Sequence, residues 1–353
     1  MPGIAVTSAI SIEPAKKARA VRSGAAFTRL TVLVASVALL TSRVMLLAHE
    51  FVGHAAPATL FGGRVTGWYL FLFAGGRVSY RLGHVGTAQR LVVTLGGIAL
   101  ELVIGAVAFL VARRLRDRAT ASFCQLCVGT VLVGHGAMYL ARGVHYGFGD
   151  GAFLAYRLGG ARVVVVVLAS ALAVGVAATG GRLLARFAAS FFAGTPRRAA
   201  AAVLLVFACA ALVHGALAFG EVRLFSDPTW VRVMEDAAVV AARDEVAKRI
   251  AEATRRGEPP PSAEDQARMT EAVERARRPW PLDPVLLLAV VTGLVIGVTR
   301  GTREQRATEA GSEDGSSVPI LPSWRFVGGV LGGLALVVVV ILVVRSFGAS
   351  VAP

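Results

Sequence analysis

The chain has 353 residues, is 55% hydrophobic and has a mean hydropathy of +0.65, which excludes an ordinary soluble globular protein. Its formal net charge of +15 would suggest nucleic acid in a soluble chain, but the basic residues flank apolar runs, so membrane topology accounts for them and no nucleic-acid partner is expected. Three cysteines imply no disulfide framework: Cys124 and Cys127 form one C-x-x-C inside an apolar run, with no second ligand pair for a structural zinc, and read as small buried hydrophobes.

Residues 1–26 are polar and basic and read as a disordered tail. Crossing a bilayer takes roughly 20 apolar residues. Runs of about that length fall at 28–50, 90–111, 121–141, 161–181, 199–220, 283–299 and 326–346, the sixth being short. The expected fold class is an all-α polytopic membrane protein of about seven transmembrane helices. The first run is too long for a signal-peptide core. Basic clusters at Lys16 to Arg22, Arg113 to Arg118, Arg182 to Arg198 and Arg300 to Arg306 fall on one side if the N-terminus is inside and the spans alternate.

After the first span, Phe61 to Tyr80 is rich in Val, Trp, Tyr and Phe between the glycine pairs Gly62–Gly63 and Gly75–Gly76. That pattern predicts β-structure, as a hairpin, rather than a helix. At membrane depth its backbone groups must be satisfied by protein or a wet cavity, so it should pack against the first span near His49. Residues 161–220 add further transmembrane helices.

Residues 221–282 form a long polar segment between spans and read as an extramembrane helical hairpin. Ser226 and Asp227 before Pro228 suit a helix start, and Asp244/Lys248, Glu245/Arg249 and Glu252/Arg256 support an exposed helix. GEPPPSAED breaks it, and Ser262 can cap a second helix running to about Arg278. A gate, a partner-binding arm and a solvated connection all remain open for it. Residues 283–353 hold two spans joined by a polar linker over 301–323. In the last span Gly328/Gly332 and Gly329/Gly333 offer a G-x-x-x-G packing face.

Ionisable residues inside a membrane are costly and mark function by default. Here they are Arg43, His49, Glu50, His54, Glu101, His135, His145, Asp150 and His214. The stretch LLAHEFVGHAA, Leu46 to Ala56, carries H-E-x-x-x-H. Zinc peptidases place two histidines at i and i+4 of a helix, with the glutamate beside them as general base. At i and i+5 an ideal helix rotates about 500°, leaving His54 about 140° from His49. A π-bulge would bring them together, and Gly53 makes that distortion cheap. The alternatives stay open: an interfacial polar pair at His49–Glu50, a cap or turn at Asp150, and His145 as a ligand in place of His54. His135 and His214 read as interhelical hydrogen-bonding residues, and Arg43 as a snorkelling or acid-paired residue. Alternation of the spans places the ends of the first and third on one face, so His49, His54 and Asp150 can meet.

HEFVGH resembles the HELLGH-type motif of the dipeptidyl peptidase III family, over six residues. A second resemblance covers about residues 40–155: a span ending in His-Glu, a glycine-rich β-like segment, TLGGIALELVIG, and a span leading to YGFGDG. This order resembles the site-2 protease family of membrane-embedded zinc metalloproteases. The resemblance implies a metalloprotease-like core over 27–160, with His49, His54 and Asp150 holding Zn²⁺ and Glu50 as general base. It also suggests substrate-binding or ligand-supporting roles for Glu101, His145, Gly62, Gly63, Gly75 and Gly76. HYGFGDG lacks the Asn and Pro common before that family's D-G, and Glu101 stands where an asparagine is common.

The expected function is a membrane-embedded zinc metallopeptidase cutting peptide bonds within or near the bilayer, with a membrane protein or peptide as substrate. The alternative is a catalytically inactive relative that binds other membrane proteins. A transporter fits less well, because the acids cluster at one membrane face. A multi-pass location in the plasma (inner) membrane of a bacterium is expected. Positive-inside bookkeeping puts the His-Glu end outside the cytoplasm, whereas the resemblance implies a site towards it, and the side stays open.

Overall fold

The computed structural model describes residues 12–225, 246–247, 249–257, 259, 261–277, 280–311 and 321–348. Seven helices among these residues are long and apolar enough to cross a membrane: Gly24–Leu60, Thr87–Arg114, Ala119–Tyr146, Gly159–Phe191, Pro196–Leu224, Leu282–Ala310 and Trp324–Phe347. Each contains one of the predicted runs. The protein is an all-α polytopic membrane protein with one small two-stranded sheet.

In chain order, α1 (Ile12–Leu47) passes through a π-helical stretch (Ala48–Ala55) into α2 (Ala56–Leu60). Strands β1 (Arg64–Leu70) and β2 (Gly76–Arg81) follow, then α3 (Thr87–Arg114), α4 (Ala119–Tyr146), α5 (Ala152–Leu158), α6 (Arg162–Ala188) and α7 (Pro196–Phe225). The chain ends with α8 (Ala263–Arg277), α9 (Leu282–Gly311) and α10 (Trp324–Gly348). Helix α1 starts at Ile12, inside the segment read as a basic tail.

Helix packing follows glycine rather than bulk apolar content. On α9, Gly293, Gly297 and Gly301 recur every four residues, so they share one face. That face lies against the α6 backbone at Val174, Ala178 and Arg182, where a Cβ on any of the three glycines would collide or crowd. This is the close approach that small residues permit between membrane helices. The G-x-x-x-G face expected on α10 does not pack this way. Gly328, Gly329 and Gly332 have open space beside them, and Gly333 meets only the Leu40 side chain. The correct stripe is on α9, because a partner helix, not glycine spacing alone, makes a packing face.

Helix α9 also runs past its apolar part to Gly311, through residues expected to be linker. Arg300–Glu304 at 3.2 Å, Gln305–Glu309 at 3.1 Å and Arg306–Glu309 at 2.7 Å tie successive turns of this polar extension. Residues 312–320 lie outside the described residues.

Of the expected extramembrane hairpin, Ser226 to Glu245 and Lys248 lie outside the described residues. The second helix is α8, and Ser262 caps it: the Asp265 N–H donates to Ser262 Oγ at 3.1 Å. The segment then returns to the bundle beside the end of α4. Arg142 grips Asp283 with two bonds of 2.9 Å, and His145 Nε2–H donates to the Trp280 carbonyl at 2.8 Å.

The β-hairpin forms where predicted. It is antiparallel, pairing Arg64 with Arg81, Trp68 with Val78 and Leu70 with Gly76. Its five-residue tip carries backbone groups outside the strand ladder, and buried charges satisfy them. The Glu221 carboxylate on α7 accepts the N–H groups of Leu72, Phe73 and Ala74, at 2.5, 2.6 and 3.1 Å. Arg43 on α1, buried rather than snorkelling, donates to the Ala74 carbonyl at 2.5 Å and Ser42 Oγ at 2.7 Å. On β1, Trp68 Nε1–H donates to the Val344 carbonyl of α10 at 2.9 Å. Three membrane helices therefore fix the hairpin. Glu221→Leu leaves three half-buried N–H groups without an acceptor and Arg43 without a nearby anion. It is expected to destabilise the protein by about 3 kcal/mol, read as a lowered melting temperature in detergent.

Candidate metal centre

The extra residue in H-E-x-x-x-H is absorbed by the π-helix over Ala48–Ala55. Its i→i+5 bonding widens the turn, so residues five apart return to one face. His49 and His54 accordingly lie together, ring centroids 4.9 Å apart. Exposed Val52 is on the outside of the widened turn, while His49, Glu50, Gly53 and His54 are buried.

Glycines set the depth of the site. The π-helix crosses α3 where Gly53 meets Gly96 and Gly97, and a Cβ on Gly53 would lie 2.5 Å from the Gly97 backbone. A Cβ on Gly97 would lie 2.5 Å from His49 Nε2. Both positions are therefore restricted to glycine by space, and the histidine ring occupies the room they leave. Asp150 comes from a third point. Helix α4 ends at Gly147, whose φ of 73° is left-handed, with its N–H on the Gly143 carbonyl at 2.9 Å. The following Gly149–Gly151 turn packs its last residue on the backbone of Gly143 and Val144, and this holds Asp150 against the histidines.

One ligand atom from each of His49, His54 and Asp150 lies within 4.8 Å of the other two. Asp150 Oδ2 is 3.0 Å from His49 Nε2 and 3.2 Å from His54 Nε2. These separations approach the edge of about 3.3 Å expected for N and O ligands about 2.0–2.1 Å from a tetrahedral Zn²⁺. The close pairs are not hydrogen bonds: buried His54 Nε2 and Asp150 Oδ2 have no hydrogen-bond partner. The remaining ring nitrogens are committed. His49 Nδ1–H donates to Glu101 Oε1 at 2.9 Å, and His54 Nδ1–H donates to the Val93 carbonyl at 2.6 Å. Holding Nδ1 as donor directs each Nε2 lone pair to the same point as the Asp150 oxygen. Orphaned buried acceptors facing each other fit a cation, and the group can hold a metal ion.

Glu50 stands beside this group without joining it. It is buried and lies near the backbone of Val78 on β2, so the hairpin packs beside it. Glu101 accepts from two imidazoles, the second being His135 Nδ1–H at 2.8 Å. Glu101 thus stands between the His49 and His135 rings. Glu101→Leu is expected to weaken metal binding about 10–100-fold, as measured by competition with a chromogenic chelator.

Other candidates lie elsewhere. His145 bonds Trp280, and the alternative in which it replaces His54 finds no counterpart in the metal-ligand group. Gly62, with φ of 75°, turns the chain into β1, and Gly63 sits against the carbonyls of Ala58 and Arg81. Gly76 packs on Leu46 and Leu70, while Gly75 is open. These four shape the hairpin. Two tyrosines were not anticipated. Tyr139 lies near Asp150 and stacks on His135 at 6.0 Å. Tyr80 on β2 lies near Asp150 and Glu50. No signal but membership of the hairpin and of α4 marks them in the sequence.

No family model, curated protein or solved structure matches this chain.

Proposed function

We propose that the protein is a membrane-embedded zinc metallopeptidase of the kind its core resembles, the site-2 proteases, cutting peptide bonds within or near the bilayer. The observation that carries this reading is a His-His-Asp group with buried, unsatisfied acceptor atoms, flanked by a carboxylate, Glu50, that is not one of its ligands. His49, His54 and Asp150 would hold the ion. When bound, zinc supplies Lewis acidity and brings the pKa of a water towards about 7.

The chain's own residues do the rest. Glu50 accepts the proton of the attacking water and passes it to the leaving amine. Glu101 and the Val93 carbonyl keep both imidazoles in the ligating tautomer. Tyr80 offers an O–H towards charge that develops on the scissile carbonyl. Glu50 lies near the Val78 backbone, so β2, which pairs only with β1 among the described residues, runs beside it. An unwound substrate segment added as a strand along β2 would present its backbone to Glu50.

The test is metal analysis with a cleavage assay on a single-span membrane peptide. About one zinc per chain is expected, with cleavage lost on chelation and restored by zinc. Iron in place of zinc would overturn the metal assignment. Zinc without cleavage of any membrane peptide would favour the non-catalytic reading, a scaffold that binds other membrane proteins.

A further inference from the structure

At the end of the bundle opposite the metal-ligand group, α6, α7 and α9 meet. Arg182 on α6 reaches Glu304 on α9 at 2.8 Å, and Arg306 on α9 bonds the Phe192 carbonyl before α7. Between α7 and α9 lies an open cavity of about 800 Å³, lined by Thr195, Pro196, Arg197, Arg198 and Arg303. The nearby acids are already engaged: Glu304 takes Arg182 and Arg300, and Glu309 takes Arg306. Among the described residues, Arg197, Arg198 and Arg303 have no acidic partner, so three uncompensated guanidiniums face one concave space.

We infer that this pocket binds the phosphate headgroup of an anionic phospholipid. Guanidinium forks match phosphate oxygens and bind them with paired, charge-assisted hydrogen bonds. The pocket lies on the basic side of the bundle, which the positive-inside rule turns towards the anionic cytoplasmic leaflet. Free phosphate shares the headgroup chemistry, but the surroundings favour a lipid. Only 17% of the apolar stretch of α7 is buried, so this helix presents a hydrocarbon-facing wall below the pocket. Leu205 and Leu212, 54% and 70% exposed, lie two and four turns on from Arg198 along one face. Headgroup and acyl chain thus meet complementary surfaces on one helix. This inference does not depend on the metal centre.

The experiment is native mass spectrometry of the full-length protein, delipidated in detergent and titrated with phosphatidylglycerol, phosphatidylcholine or soluble glycerol phosphate. Phosphatidylglycerol is expected to be retained at least about tenfold better than phosphatidylcholine, with the R197Q/R198Q/R303Q variant losing that preference. An equally discharged control, R113Q/R114Q/R116Q, is expected to keep it; all six arginines are exposed, so both variants should fold. Equal retention of the two lipids would overturn the inference, as would equal loss in both variants, which would make the effect one of general surface charge. Displacement of the lipid by stoichiometric glycerol phosphate would also overturn it and assign the pocket to free phosphate.

Discussion

Glu50→Gln is expected to slow peptide-bond cleavage by about 10²–10⁴-fold while leaving the metal content of the purified protein unchanged. The two readouts separate because Glu50 stands outside the ligand group, which is made by His49, His54 and Asp150. Glutamine has the same shape and an oxygen that can still meet Val78, so the hairpin and the widened helical turn have no reason to move. What it lacks is the basicity to take a proton from water. Cleavage rate and metal stoichiometry measured on one preparation check this. Loss of metal in the variant would make Glu50 structural, and unchanged cleavage would remove it from the chemistry.

Asp150→Ala is expected to lower metal affinity by more than the roughly 10–100-fold that accompanies loss of a supporting residue. The carboxylate is the one oxygen donor of the group, and its Oδ2 is the atom both imidazoles approach. Without it, two neutral nitrogens remain and the group has no anionic ligand for a dication. Metal per chain should fall from about one to near zero after a brief wash with chelator, measured by elemental analysis. His145→Ala in the same experiment should retain the metal, because that ring is bonded to Trp280. If His145→Ala emptied the site instead, the ligand assignment would be wrong.

The spans were legible because crossing a membrane imposes length and composition, both of which a sequence displays directly. The hairpin was legible from its glycine-bracketed aromatic and β-branched run. The altered motif spacing was legible as a requirement: residues five apart can share a face only if the turn widens, and Ala48–Ala55 widens. What stayed hidden is pairing across the bundle. Glu221 lies at the end of an apolar run and read as the beginning of a connection. Its partners are the tip residues 72–74, separated from it by 147 to 149 positions. The glycine stripe of α9 has the same spacing as the one noticed on α10. Only the α6 backbone, brought alongside, tells them apart. Tyr139 and Tyr80 show no pattern at all, since an aromatic residue on a membrane helix or strand reads as packing until its neighbours are known.

The two histidines differ in how exposed their supports are to mutation. His49 leans on a side chain, so changes at position 101 should register in any survey of single substitutions. His54 leans on the main-chain carbonyl of Val93. Every amino acid at 93 carries that same oxygen, so such a survey would report the packing of the fully buried Val93 side chain there and not the hold on His54. The neighbouring Gly97, which no other residue can replace without striking His49, would be among its loudest positions. In a set of variants the hold on His54 would surface only indirectly, through changes that shift α3 as a body.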